Sequence, residues 1–222
     1  MTKVTKKTKK TKKDKEKEEV VEEVEETGEE QVGAEDLLSL LTGGIEENPE
    51  ARSIYFSGDL NEERGAEIIT ALLVLSKQKN SEGEIDPIKL YISTYGGNAD
   101  DMFAMYDMMR NIRDATEIHT VGLGKVMSAG VLMLAAGTKG HRYIGKNCRV
   151  MIHSVMGGNH GALHNMMNEM EAIEQLQDMY CDALISETKL TRVKLKKMLE
   201  RKVNVYLSAE EAVELGIADE II

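Results

Sequence analysis

The chain has 222 residues, of which 41% are hydrophobic and 30% charged, and its formal net charge is −11. This length and apolar content suffice for one globular domain with a substantial core. The acidic balance argues against nucleic acid as the main partner, and no apolar run reaches the ~20 residues that a membrane-spanning helix needs.

The first 36 residues differ from the rest in composition. Residues 2–17 contain nine lysines, and residues 18–36 contain ten acidic residues and no basic one. Such charge runs are typical of a solvated, disordered extension, although the lysines could also contact nucleic acid or an anionic surface. We predict a disordered extension over residues 1–36, without a secretory signal because no apolar segment follows the lysines. The folded domain is predicted over residues 37–222.

After the extension, short β-rich runs alternate with amphipathic segments at helical spacing. The predicted strands are Ser53–Phe56, Lys89–Ser93, Ile118–Val121 and Arg149–Ile152. The predicted helices are Asn61–Gln78 with Asn61 as its cap, Asp100–Arg113, a segment of about twelve residues after Ser128, and Ala162–Glu187. Alternating strands and helices imply βαβ crossovers and a largely parallel sheet. The predicted fold class is α/β.

Cysteines and histidines do not predict a metal site. Cys148 and Cys181 lie in apolar surroundings, which is typical of reduced core thiols in a cytoplasmic protein. His160 and His164 are four residues apart and could share a helix face, but the sequence offers no clear third ligand. We therefore expect no metal.

Ser128 and His153 give the clearest chemical signal. Ser128 stands where a glycine-containing segment becomes an apolar helix, so that its hydroxyl lies beside unpaired N–H groups and a positive dipole end. An oxyanion is stabilised at such a place. His153 follows the apolar run Val150–Ile152, from where an imidazole can take the serine proton. The same pattern also describes an ordinary N-cap serine and a strand-end histidine.

A resemblance to the proteolytic subunit of the Clp protease, the ClpP family, lies in GKVMSAGVLMLAAGTKGHRY and RVMIH. It extends, in the same order, through RSIYFSGDLNEERGAEIITALLVL, IKLYISTYGGNADDMFAMYDMM and LSAEEAVELGIADEII. The resemblance implies a ClpP/crotonase fold of repeated ββα units and a serine endopeptidase, with Ser128 as nucleophile and His153 as general base. It also implies that the long helix, here Ala162–Glu187, joins two stacked heptameric rings.

Further roles follow from the resemblance. The backbone N–H groups of Gly97 and Ala129 would form the oxyanion hole. Gly157 and Gly158 match a glycine-rich strand that borders the substrate groove, where a peptide can pair as an added strand. The family usually has proline before the glycine pair Gly96-Gly97, whereas this chain has Tyr95, so the turn is expected to differ in detail.

The third member of the triad departs from the family. Its aspartate lies four residues before the SAEEA-like segment, a position that Asn204 occupies here. An asparagine carbonyl can accept the Nδ1–H of His153, but it lacks the charge that stabilises imidazolium. We therefore expect a Ser128–His153–Asn204 triad and a slow or conditional peptidase. The alternative is that Asn204 is a plain loop residue.

The implied partners are unfolded polypeptides and an AAA+ unfoldase of the Clp class. The sequence has no GxxxxGK[ST] phosphate loop, so the ATPase would be a separate chain, and peptide cleavage needs no cofactor. The rings could be homo-oligomeric or contain an active ClpP homologue. In the second case this chain could be a weakly active or inactive structural subunit. An acyl-CoA-handling crotonase relative would share the fold, but it needs no Ser–His pair in these two motifs.

Overall fold

The computed structural model describes residues 52–158, 160–200 and 204–222. The predicted extension over residues 1–36 lies outside the described residues. In chain order the elements are β1 (Ser53–Leu60), α1 (Glu62–Leu75), β2 (Ile88–Gly97), α2 (Ala99–Ile112), β3 (Ile118–Met127), α3 (Ala129–Ala135), β4 (Arg142–Ile144), β5 (Arg149–Ile152), α4 (Leu163–Glu187), α5 (Arg192–Leu199), β6 (Val205–Leu207), α6 (Ala209–Glu214) and β7 (Glu220–Ile221).

The described strands form one sheet in the order β1-β2-β3-β4-β7. All pairs along this path are parallel, β5 pairs in parallel with the end of β3, and β6 pairs antiparallel with β5. The parallel pairs follow from the helical crossovers α1, α2 and α3, which return the chain to the same end of the sheet. The predicted α/β class with a largely parallel sheet is confirmed.

The observed strands are longer than predicted. β1 continues to Leu60 and β2 to Gly97, because these two residues still pair across the sheet beyond a register shift. β3 continues through its glycines to Met127 and pairs there with β5. Gly122 and Gly124 interrupt the apolar pattern after Val121, so the sequence predicted a shorter strand, but these glycines do not prevent β3 from continuing.

The helix after Ser128 is shorter than predicted and has seven residues. Gly137 follows its C-cap residue, Ala136, and packs closely against β3. A Cβ atom on Gly137 would lie 2.5 Å from Thr120 Oγ1. By contrast, α1 begins as predicted after Asn61, whose side chain accepts a hydrogen bond from the Arg64 N–H.

The core lies between the sheet and the helices α1, α2 and α3. Every residue of α3 is buried, which explains its unbroken apolar sequence. The largest side chains with less than 2% exposure include Phe56, Leu72, Leu90, Ile92, Met105, Met109, Leu132 and Ile144. Both cysteines are buried and unpaired, as predicted, and burial raises the pKa of the Cys148 thiol to about 11. No helix within the described ranges is long and apolar enough to cross a membrane.

A buried ion cluster lies where β3 and β4 begin. The Glu187 carboxylate, 2% exposed, is 2.9 Å from Arg113 Nη2 and 2.9 Å from Lys139 Nζ, and it accepts a hydrogen bond from the Tyr106 hydroxyl. Burial alone would raise the pKa of Glu187, but the hydrogen bonds from Arg113 and Lys139 outweigh it and lower that pKa. The cluster joins the end of α4 to the amino edge of the sheet.

Candidate active site

The candidate site is a cavity of about 400 Å³ at the carboxyl ends of β2, β3 and β5. Open α/β sheets bind ligands at this edge, where the strands end and the turns begin. The cavity wall consists of the turn after β2, the start of α3, the segment after β5 and one side of α4. The predicted site residues that line the cavity are Gly97, Ser128, Ala129, His153, Gly157 and Gly158.

Ser128 has an unusual backbone conformation. With φ 53° and ψ −121°, it is the only residue other than glycine with a positive φ in the described part of the chain. Such a conformation costs about 1–3 kcal/mol and is concentrated at functional sites. Ser128 occupies the N-cap position of α3, but its side chain makes no capping hydrogen bond. Ser128 is one of the residues that line the cavity.

Two hydrogen bonds hold the strained Ser128 backbone in place. Its N–H donates to the Met151 carbonyl oxygen at 2.8 Å, which ties it to β5. Its carbonyl oxygen accepts a hydrogen bond from the Tyr180 hydroxyl of α4 at 3.2 Å. Burial raises the pKa of Tyr180, so this hydroxyl stays protonated as a donor. Sequence patterns could not identify Tyr180, because it lies 52 residues from Ser128 in an amphipathic helix.

The glycine pair at the end of β2 is required by close packing. A Cβ atom on Gly96 (φ +104°) would lie 2.6 Å from Ser128 Cβ, and one on Gly97 would overlap the Leu60 backbone. The buried Thr94 Oγ1 accepts a hydrogen bond from the Gly96 N–H at 2.9 Å and fixes the turn. Glycine at these positions therefore lets β2 approach the serine and β1, in addition to any role toward a substrate.

Tyr95 stands in the same turn, where proline is usual in the family. Its side chain is 63% exposed and lines the cavity. The Lys125 ammonium lies 4.6 Å from the centre of its ring, in a cation–π contact. An aromatic ring in contact with a lysine thus stands at the cavity where the family usually has proline.

His153 and Asn204 are brought together by the pairing of β5 with β6. Ile152 pairs with Val205 in this antiparallel ladder, so His153 and Asn204 are neighbours just beyond its last pair. His153 is half-buried and lines the cavity with Ser128, whereas Asn204 is exposed and outside the lining. Among the described residues, no hydrogen bond joins His153 to Ser128 or to Asn204.

Gly157 and Gly158 lie in the segment that joins β5 to α4. Residues 153–158 have no regular secondary structure, so the strand implied by the resemblance is not formed within the described chain. A Cβ atom on Gly157 would lie 2.5 Å from Ile173 Cδ1 of α4, whereas Gly158 has open space around it. The segment is anchored at Val155, whose N–H donates to Gln177 Oε1 at 2.7 Å.

A family model described as Clp protease matches residues 45–222. The match includes all the elements above and all the predicted site residues. It agrees with the resemblance in the sequence motifs and with the mostly parallel α/β fold.

Proposed function

This chain belongs to the Clp protease family, and we propose that it is a serine endopeptidase that cleaves unfolded polypeptides. The observation on which the proposal rests is the strained Ser128 in a cavity that it shares with His153. A strained residue at a cavity is typical of a functional site. The histidine at the same sheet edge supplies the base that a serine nucleophile needs.

In the proposed reaction, Ser128 Oγ attacks the peptide carbonyl while His153 takes its proton. The tetrahedral intermediate then collapses as His153 returns the proton to the leaving amine, which leaves an acyl ester on Ser128. Water, deprotonated by His153, hydrolyses the ester and restores the serine. A side-chain rotation of Ser128 or His153 has to close their hydrogen bond first, and such bonds often tighten only when substrate binds.

Two further roles support this reaction. The N–H groups of Gly97 and Ala129 would donate to the oxyanion. Ala129 is the first residue of α3, so its N–H has no acceptor within the helix. Asn204 would accept the Nδ1–H of His153 and fix the ring, as its place beside His153 at the end of the β5–β6 ladder allows. Without a negative charge there, catalysis is slow.

The cavity suits an extended peptide. Among the described residues, no backbone hydrogen bond involves Gly157 or Gly158, so a substrate could form an added strand along this segment. One wall is apolar, with Met102 and Ile173, and can receive an apolar side chain of the substrate. The residues that we assign to peptide cleavage act without a cofactor.

The helix α4 supports assembly into stacked rings. Its first two turns expose an apolar stripe formed by Leu163, Met166, Met167 and Met170, which are 43% to 68% exposed. The spacing i, i+3, i+4, i+7 places these side chains on one helix face. We propose that this face packs against a second ring of the same chain or of a ClpP homologue, and that an AAA+ unfoldase of the Clp class delivers substrates.

A second candidate is a ring subunit of weak or no activity that assembles with an active homologue. Two observations favour it: Asn204 replaces the usual acid, and Ser128 makes no hydrogen bond with His153 in the described chain. Both candidates predict rings, so assembly alone does not separate them.

Labelling with a fluorophosphonate probe tests the proposal. The assembled protein is incubated with the probe and digested, and the adduct is mapped by mass spectrometry, with Ser128→Ala as the negative control. Ser208→Ala is the matched control, because Ser208 caps α6 outside the cavity. We expect an adduct on Ser128 in the native chain and in Ser208→Ala, together with slow cleavage of an unfolded protein such as casein.

No adduct on Ser128 in protein that forms rings would overturn the independent peptidase and leave the structural subunit. Equal labelling of Ser128→Ala at another serine would show that the nucleophile is assigned wrongly.

A further inference from the structure

A second group of titratable side chains, one carboxylate and two imidazoles, lies at the opposite edge of the sheet from Ser128. Glu117 directly precedes β3, His119 is its second residue, and His141 directly precedes β4. Thr120 pairs with Arg142 in the parallel β3–β4 ladder, so His119 and His141 lie side by side, one residue before that pair.

Three donor atoms converge there. Glu117 Oε2 lies 2.9 Å from His119 Nε2 and 3.8 Å from His141 Nε2. One donor atom from each residue lies within 4.8 Å of the other two. The two imidazole rings are stacked, with centroids 4.2 Å apart and planes 7° from parallel. The Nε2 atom of each ring lies near the same carboxylate oxygen. Because the ring planes are nearly parallel, one ring has to rotate before the in-plane lone pairs of both nitrogens point to one ion.

We propose that Glu117, His119 and His141 form a binding site for a divalent transition metal ion of the zinc type. Two imidazoles and one carboxylate are a known three-residue ligand set for Zn²⁺, completed by water. Ligand atoms about 2 Å from a tetrahedral ion are about 3.3 Å apart. The two observed distances from the carboxylate, 2.9 and 3.8 Å, lie on either side of that value.

A simple ion pair does not account for the whole arrangement. The hydrogen bond from His119 lowers the pKa of Glu117 and explains the orientation of His119. It leaves open why the His141 ring stacks on His119 with its Nε2 turned toward the same oxygen. The Tyr143 hydroxyl, 3.4 Å from His141 Nδ1, lies near the other ring nitrogen.

The site is too far from Ser128 to take part in peptide cleavage. Eight residues of β3 lie between His119 and Ser128, so the two are on the order of 30 Å apart along the extended chain. A bound ion would join the first residues of β3 to the turn before β4 and stabilise this edge. Its effect is therefore expected on unfolding, not on the cleavage of bound peptide.

Zinc titration of the full chain tests the proposal. The protein is stripped with EDTA, desalted and titrated with Zn²⁺ against a chromophoric chelator. His119→Ala, His141→Ala and Glu117→Gln are compared with His164→Ala, a matched exposed histidine on α4. We expect one Zn²⁺ per chain in the native protein and in His164→Ala, and at least tenfold weaker binding in the other three.

Two further measurements keep the result interpretable. The Tm without metal shows whether each variant folds. If the alanine variants do not fold, Glu117→Gln still tests the site, because glutamine keeps the shape of the glutamate side chain. Zn²⁺ should raise the Tm of the native chain but not of Glu117→Gln, by linkage. Lys89 is exposed and paired with His119 on β2, so Lys89→Gln should bind Zn²⁺ more tightly.

Failure of the native chain to bind Zn²⁺, or equal binding by Glu117→Gln, would overturn the proposal. Neither result would affect labelling of Ser128, because the two sites share no residue.

Discussion

The carboxyl and amino edges of the parallel sheet differ in backbone strain and in buried charge. At the carboxyl edge, Ser128 has a positive φ, and Gly96 packs so closely against it that an added Cβ would lie 2.6 Å from Ser128 Cβ. At the amino edge, Glu187 is buried with two cations and a hydroxyl donor, so its charge is compensated. The first edge stores backbone strain, and the second holds paired charges.

This difference indicates how one domain can support a strained site. The amino edge ties α4 to the sheet through Glu187, and the same helix provides Tyr180, which holds the Ser128 carbonyl. Changes at the carboxyl edge should therefore alter activity more than stability. Changes at the amino edge should do the reverse.

Gly96→Ala should have the largest effect on activity. The added Cβ would lie 2.6 Å from Ser128 Cβ and 3.0 Å from the Met127 carbonyl oxygen, so the serine has to move. Misplacement of a reacting group by about 1 Å can cost about 10² in rate. We expect about 10³ here, because the turn with the proposed oxyanion donor Gly97 moves together with the proposed nucleophile. The rate of labelling by fluorophosphonate measures the loss. Gly83→Ala is the control, since Gly83 also has a positive φ (+82°) but open space around it. Equal labelling rates of Gly96→Ala and Gly83→Ala would contradict the packing argument.

Glu187→Gln should mainly reduce stability. It leaves Arg113 and the half-exposed Lys139 without their counter-charge, and we expect a loss of about 2–3 kcal/mol in the free energy of unfolding. Urea unfolding at fixed protein concentration measures it. The exposed pair Arg64–Glu67 gives the control, because Glu67→Gln should change little.

The pH dependence gives a second test of Glu187. Its pKa is lowered in the folded protein, so its stabilisation is complete above the ordinary value of 4.5 and is lost as the pH falls through the lower folded value. The native chain should therefore lose stability in this acid range more steeply than Glu187→Gln. Parallel pH profiles would show that Glu187 is not the group that titrates.

Asn204→Asp should raise activity. A carboxylate beside His153 stabilises the imidazolium that forms during attack, and loss of such a carboxylate costs about 10⁴ elsewhere. We expect a gain of about 10² in the rate of peptide cleavage, because the site is shaped around an amide. Asn204→Ala should be slower than the native chain if Asn204 orients His153. Equal rates for all three would identify Asn204 as a plain loop residue.

Sequence patterns predicted the parts of this fold that depend on local order. Asn61 as a cap, β5 and the long helix α4 all follow from spacing and composition within a few residues. The convergence of His119 with His141 was not predicted, since it depends on pairing between strands that begin 24 residues apart. The contact of Tyr180 with Ser128 was missed for the same reason, because only tertiary packing brings α4 to α3.

Tyr180→Phe should have the smallest effect and gives the sharpest test of the connection between the edges. Phenylalanine keeps the packing of the buried ring but removes the 3.2 Å hydrogen bond to the Ser128 carbonyl. One neutral hydrogen bond contributes about 1 kcal/mol, so we expect kcat to fall about five- to tenfold with little change in KM. Since burial raises the pKa of Tyr180, the loss should be the same at every pH at which the native chain is active.

Tyr106→Phe is the matched control at the other edge. It removes the hydroxyl that donates to Glu187 at 2.9 Å, so it should lower the free energy of unfolding and leave kcat unchanged. If both variants lower stability alike and neither changes kcat, Tyr180 is only a packing residue. If Tyr180→Phe alone lowers kcat, the hydroxyl positions the nucleophile, and the strain at Ser128 is maintained by α4 and not by β3 alone.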